Sequence, residues 1–132
     1  MIRILLANNH TIIRKGVRQI LMQAYPHAVF GEIEEAEEWK EKLSAVNWDM
    51  VISDLYMPDK GGLDTLQWIR RSFPELPVLI LTLYPKEHYA VRAMKAGAAG
   101  YIEKDAAPDE LITAVSRILS GKKYIALPGN EN

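Results

Sequence analysis

Short runs of consecutive apolar residues alternate along this chain with longer stretches in which apolar residues return every three or four positions. The first kind of run suits a strand buried on both faces, the second an amphipathic helix. Ile2–Ala7 predicts a first strand, and the polar residues Asn8, Asn9, His10 and Thr11 suit a loop and helix start. Ile13, Val17, Ile20, Leu21 and Ala24 then form one helical stripe closed by Pro26. Ala28–Ile33 predicts the second strand. Glu34, Glu35, Glu37 and Glu38 open the next helix ahead of Lys40 and Lys42, an order that suits the helix dipole, and Trp39, Leu43 and Val46 make its apolar stripe. The charge run is most simply a solvated face opposite that stripe.

The third strand is Met50, Val51 and Ile52, which ends abruptly in an acid, Asp54, before Pro58 and the pair Gly61, Gly62 force a turn. A helix from about Gly62 to Phe73 presents Leu63, Leu66, Ile69 and Phe73, and Pro74 and Pro77 end it. Pro77–Thr82 predicts the fourth strand and Lys86–Ala96 the fourth helix, with Gly97 just past its end. Gly100–Glu103 predicts a short fifth strand ending at Lys104. Pro108 starts a last helix with Leu111, Val115, Ile118 and Leu119 as its core face, and Gly121 marks its limit. Lys122 to Asn132 reads as a tail.

Strands that alternate with helices in this way predict an α/β protein, a doubly wound parallel sheet, because parallel strands need crossover connections. For this length the economical arrangement is the flavodoxin-like (βα)5 fold with strand order 2-1-3-4-5. Ligands of such sheets bind at the carboxyl ends of the strands. The groups expected at those ends are Asn8 and Asn9, Asp54, Thr82 and Lys104. A lone strand-end Asp serves equally as a cap for the next helix. An acid, a hydroxyl and an ammonium at successive strand ends point instead to a site.

The length of 132 residues with 48% hydrophobic and 25% charged residues predicts one globular domain with a real core. A net charge of −1 argues against a nucleic-acid surface, and the lack of cysteine excludes disulfides and cysteine-based zinc sites. No run approaches a membrane span. Met-Ile-Arg-Ile-Leu-Leu enters a strand pattern at once, without signal-peptide character, which predicts a cytoplasmic protein. No P-loop or zinc spacing is present, and His10, His27 and His88 receive no role.

From Ile2 to about Gly121 the chain resembles a response-regulator receiver domain of bacterial two-component signalling. The likeness rests on Val-Ile-Ser-Asp54-Leu-Tyr-Met-Pro, Gly62-Leu63, Leu81-Thr82 and Ala-Gly97-Ala-Ala-Gly100-Tyr101-Ile-Glu-Lys104-Asp. Arg14-Lys-Gly-Val-Arg-Gln-Ile-Leu and Ser120-Gly-Lys-Lys-Tyr124 are similar to the subfamily whose receivers precede a LuxR/NarL-type helix-turn-helix. The resemblance implies a receiver over residues 1–121, a tail or interdomain linker over 122–132, and a signalling domain rather than an enzyme. It implies that Asp54 accepts a phosphoryl group from a sensor histidine kinase, with Lys104 stabilising its charge, Thr82 moving to it and Tyr101 turning inward. It also implies Mg²⁺ at the site, a kinase docking near the first helix, a homodimer through faces of the last two helices, and a DNA-binding output outside this chain. Pro128-Gly129 resembles the start of a linker.

One departure stands out. Where receivers carry two acids after the first strand, this chain has Asn8 and Asn9. Mg²⁺ is a hard cation that favours carboxylates. By the resemblance the ligands left are Asp54, the side-chain oxygen of Asn9 and the backbone carbonyl of Tyr56, and one lost charge pair near 4 Å is worth on the order of 4 kcal/mol at an effective dielectric of 20. Weak Mg²⁺ binding is therefore expected. The missing acids leave a second reading open, a phosphorylation-independent interaction domain. A flavin-binding protein is disfavoured because Ala-Asn-Asn-His lacks a donor-rich phosphate loop, and an aspartyl phosphatase because Tyr56 stands where a second acid is needed.

Overall fold

A computed structural model of the chain describes residues 1–55, 63–106 and 108–125. The elements run β1 (Arg3–Ala7), α1 (Thr11–Ala24), β2 (Val29–Ile33), α2 (Trp39–Ala45), β3 (Met50–Ser53), α3 (Leu63–Ser72), β4 (Val78–Thr82), α4 (Lys86–Lys95), β5 (Gly100–Glu103), α5 (Pro108–Leu119) and β6 (Tyr124–Ile125). A 3₁₀ turn over Ala36–Glu38 leads into α2. The sheet is parallel throughout, in the order β2-β1-β3-β4-β5-β6.

Period-two alternation sends successive strand residues to opposite faces, and each face meets its own helices. Leu5, Val51, Val78, Ile80 and Tyr101 join Trp39 and Leu43 of α2, Leu66 and Ile69 of α3, and Ala90 and Ala93 of α4. Ile4, Leu6, Met50, Ile52, Leu79 and Ile102 join Val17 and Leu21 of α1 and Leu111, Val115 and Ile118 of α5 on the other side. β3 and β4 are buried along their whole length, as expected of central strands covered on both faces. No helix of the described residues is long and apolar enough to cross a membrane.

Several details depart from the periodicity. The sheet has a sixth strand: Tyr124–Ile125, in the stretch read as tail, pairs with Gly100 and Tyr101 of β5. Gly100 permits that approach, since a Cβ there would lie 2.7 Å from the Tyr124 carbonyl oxygen. Ala24 and Val46, placed on helical stripes, are exposed, because each stands at the last turn or just past the end of its helix where the chain leaves the sheet. Leu63 and Phe73, at the two ends of the α3 stripe, are only partly buried. The Glu34–Glu38 run is more than a solvated face. The Glu38 carboxylate accepts hydrogen bonds from the Glu35 and Glu34 backbone N–H groups at 2.8 and 2.9 Å, which holds its pKa below the ordinary carboxyl value. Gly97 follows α4 at φ +110°, the left-handed conformation that favours glycine at a helix end. Pro58, Gly61, Gly62, Pro128 and Gly129 lie outside the described residues.

Candidate functional site

The parallel ladder continues one residue beyond the strand ends, and this fixes the site. Asn8 N–H donates to the carbonyl of Ile33, the last residue of β2, at 3.0 Å. Asp54 N–H donates to Ala7 at the end of β1 at 3.0 Å, and Lys104 N–H donates to Thr82 at the end of β4 at 2.8 Å. Each functional side chain thus begins from a backbone held by its neighbouring strand.

The side chains converge on one carboxylate. Thr82, fully buried, donates its hydroxyl to Asp54 Oδ1 at 2.8 Å. Lys104 Nζ donates to Asp54 Oδ2 at 2.9 Å, in a pair whose side chains are 6% and 11% exposed. Asn8 Nδ2 faces the same Oδ2 at 3.5 Å. Asn9 is exposed, and no hydrogen bond among the described residues ties it to Asp54. Tyr56, whose carbonyl was a candidate ligand, lies outside the described residues.

A second layer links this carboxylate to the β4–α4 connection. The Thr82 hydroxyl oxygen is 3.4 Å from the Tyr84 N–H. Tyr101 is 2% exposed and its O–H donates to the Tyr84 carbonyl at 2.8 Å, so the ring is turned into the fold. Glu103 accepts from the N–H of Lys86, the first residue of α4, at 2.8 Å. Side chains at the ends of β4 and β5 therefore hold both sides of the connection into α4.

Sequence reasoning missed Arg14 and the loop it fixes. Arg14 is buried against β2, where Nε meets Glu32 Oε1 at 2.6 Å and Nη2 meets Glu34 Oε1 at 2.9 Å. Nη1 donates to the Asn8 backbone carbonyl, and Nη2 reaches Thr11 Oγ1 at 3.2 Å. Burial works to lower the guanidinium pKa, but the hydrogen bonds and charges of Glu32 and Glu34 prevail and raise it. The available signal was an arginine at i, i+3 and i+7 with Val17 and Leu21 on a stripe that should be apolar. His10, to which the sequence assigns no role, donates its backbone N–H to Asn8 Oδ1 at 2.8 Å.

A Mg²⁺ ion requires several oxygen ligands in near-octahedral array. The described residues hold no group of three or more His, Cys, Asp or Glu that could bind a metal ion. At the site Asp54 supplies the carboxylate, Lys104 already neutralises it, and Asn8 turns its nitrogen to it. Among the described residues, this donor set does not fit a divalent cation.

Comparisons with known proteins agree on one family. The family model for the response regulator receiver domain matches residues 4–116. The response regulator UvrY of Escherichia coli K12 is 38% identical over 129 residues, a match that covers 96% of this chain and 58% of UvrY. The chain thus spans under two thirds of that relative's length. The isolated receiver domain of RcsB from Salmonella enterica serovar Typhimurium, solved with the phosphomimetic BeF₃⁻, superposes with a TM-score of 0.85 at 26% identity, covering 95% of this chain and 93% of that one. A LuxR-family two-component response regulator from Aurantimonas sp. SI85-9A1 superposes with a TM-score of 0.84 at 32% identity, covering 96% and 89%.

Proposed function

Since the chain belongs to the response regulator receiver domain family, we propose that it accepts a phosphoryl group on Asp54 from a sensor histidine kinase and thereby switches an output. The observation that carries this is the placement of Asp54: a nearly buried carboxylate at the end of the central strand, with Thr82 on one oxygen and Lys104 on the other.

A carboxylate attacking phosphorus is a nucleophilic route that splits one transfer into two. An Asp54 oxygen forms the new O–P bond while the P–N bond of a kinase phosphohistidine breaks, its electron pair returning to the imidazole. The protein's part is positioning and charge stabilisation, since the phosphoryl group spreads negative charge over its oxygens. Lys104 supplies a fixed cation within reach of them. Thr82 donates to the same carboxylate, so a phosphoryl group on Asp54 changes what its hydroxyl meets. Through Tyr84 that change bears on the Tyr101 bond and on the start of α4. An element held by a few hydrogen bonds and biased by one new charge is a two-state switch.

Receiver domains generally bind Mg²⁺ at the phosphorylation site. In this chain Asn8 and Asn9 stand at the acidic-pair positions, and weak Mg²⁺ binding is the expected consequence. Residues 1–121 together with the β6 pair Tyr124–Ile125 form the receiver, and the rest of 122–132 leads toward a DNA-binding output, in a cytoplasmic regulator of LuxR/NarL type. Homodimerisation through faces of the last two helices fits a family in which RcsB is solved as dimers on DNA. Incubation with an autophosphorylated histidine kinase tests the assignment: phosphoryl transfer to the natural chain and none to Asp54→Asn supports it, and equal transfer to both overturns it.

A further inference from the structure

The Asn8 amide is oriented by a group that can only donate. The His10 backbone N–H lies 2.8 Å from Oδ1, and His10 Nδ1 lies 3.2 Å from the same oxygen. A backbone N–H has no lone pair to offer, so the amide oxygen belongs on the His10 side and the amide nitrogen on the Asp54 side. Asn8 as a whole is 5% exposed, and its backbone is fixed at both ends, N–H on Ile33 and carbonyl on Arg14.

The consequence is chemical. An aspartate in this place would accept the same His10 bond with one oxygen and show the second oxygen, an acceptor, to the space beside Asp54. Asparagine shows that space two N–H donors. The distance from Nδ2 to Asp54 Oδ2 is 3.5 Å, too long for a strong bond, so these donors are under-used at rest. With Lys104 Nζ at 2.9 Å from the same oxygen, Oδ2 is flanked by an amide and an ammonium contributed by the ends of β1 and β5. That pair suits an oxyanion where a metal ligand set would suit a cation.

We propose that Asn8 is a donor to the phosphoryl group in transfer, acting with Lys104 so that Asp54 is phosphorylated without a divalent cation, and that His10 is the positioning residue through its backbone N–H. This rests on Asp54 being the acceptor. With acetyl phosphate as donor, Asp54 Oδ2 attacks phosphorus, the P–O bond to the acetyl group breaks, and acetate leaves with the electron pair. No proton moves. As the phosphoryl oxygens arrive, the Asn8 and Lys104 donors pass from Oδ2 to them, which stabilises charge that develops during transfer.

The test is acyl-phosphate formation on the full chain from acetyl phosphate, followed by intact mass, in EDTA and across a Mg²⁺ titration. The natural chain is expected to label as fast in EDTA as in Mg²⁺. Asn8→Asp, which keeps the acceptor for His10 and so the loop, is expected to lose about a hundredfold in EDTA and to regain rate as Mg²⁺ is added. A second reading uses amide chemical shifts: those of Asp54 and Lys104 stay fixed on adding Mg²⁺ to the natural chain and move in Asn8→Asp/Asn9→Asp. Labelling of the natural chain only in Mg²⁺ overturns the proposal. So does a natural chain that stays unlabelled in both conditions while the double variant labels in Mg²⁺, an outcome that leaves Asp54 as the acceptor. Absence of label from every form, double variant included, removes the acceptor assignment itself.

Discussion

Lys104 Nζ meets Asp54 Oδ2 at 2.9 Å, joining the end of β5 to the end of β3 across the strand that carries Thr82. The pair is nearly buried, so each member relies on the other in place of water. Lys104→Met keeps the apolar stem and removes the charge. It is expected to lower stability by about 1–3 kcal/mol and to slow phosphoryl acceptance by about a hundredfold. Denaturant unfolding and labelling rate, measured on one preparation, check both; an unchanged rate would remove Lys104 from the reaction.

Thr82 and Tyr101 bracket the connection into α4. Tyr101→Phe deletes the hydroxyl that donates to the Tyr84 carbonyl and keeps the ring, so a loss of about 1 kcal/mol is expected, with Asp54 labelling retained. Tyr101→Ala also empties a buried site and is expected to lose about 3–5 kcal/mol. Faster hydrogen exchange over the first turn of α4 in Tyr101→Phe would show that the hydroxyl holds the connection. No change there would mean that the ring alone does.

Arg14 ties α1, β2 and the loop carrying Asn8 through one guanidinium. Glu32 and Glu34 are partly exposed, so solvent screening reduces what the ion pairs contribute. The hydrogen bonds of the buried guanidinium remain, and Arg14→Ala is expected to lose about 2–3 kcal/mol. Arg14→Lys should recover only part of this, because an ammonium cannot reproduce the three-way fork. Equal unfolding midpoints for Arg14→Lys and the natural chain would contradict that assignment.

Glu38 gives the structure an acid-sensitive corner. Its carboxyl pKa is lowered in the fold by the Glu35 and Glu34 backbone bonds, so its contribution is present above the unfolded carboxyl pKa and is lost as pH falls through the lower folded value. The difference in unfolding midpoint between Glu38→Ala and the natural chain should therefore be full at neutral pH and shrink under acid. A difference that stays constant down to acid pH would mean that the carboxylate charge plays no part.

Much of this site is legible in the sequence because a doubly wound sheet brings the ends of successive strands together. Val51-Ile52 and Leu79-Ile80-Leu81 mark central strands by bulk alone, and Asp54, Thr82 and Lys104 follow from where those runs stop. What is illegible depends on pairing between distant segments. Tyr124–Ile125 is too short to signal a strand and forms one because β5 leaves an open edge beside Gly100. Arg14 enters the sequence reading only as part of a subfamily-like stretch, and its role becomes visible once Glu32 and Glu34 are placed opposite it. In sequence Asn8 and Asn9 both stand for lost acids, and Asn9 is the one expected to offer an oxygen to Mg²⁺. The fold separates them, burying one with its nitrogen toward Asp54 and leaving the other exposed.

The central claim is that Asp54 is the phosphoryl acceptor, and the most direct measurement is the position of the label after treatment with acetyl phosphate. Mass mapping of the modified chain should find one added phosphoryl group on the peptide carrying Asp54, absent from Asp54→Asn and abolished by hydroxylamine, which cleaves acyl phosphates. A hydroxylamine-resistant label, or one that persists at another residue in Asp54→Asn, would contradict it.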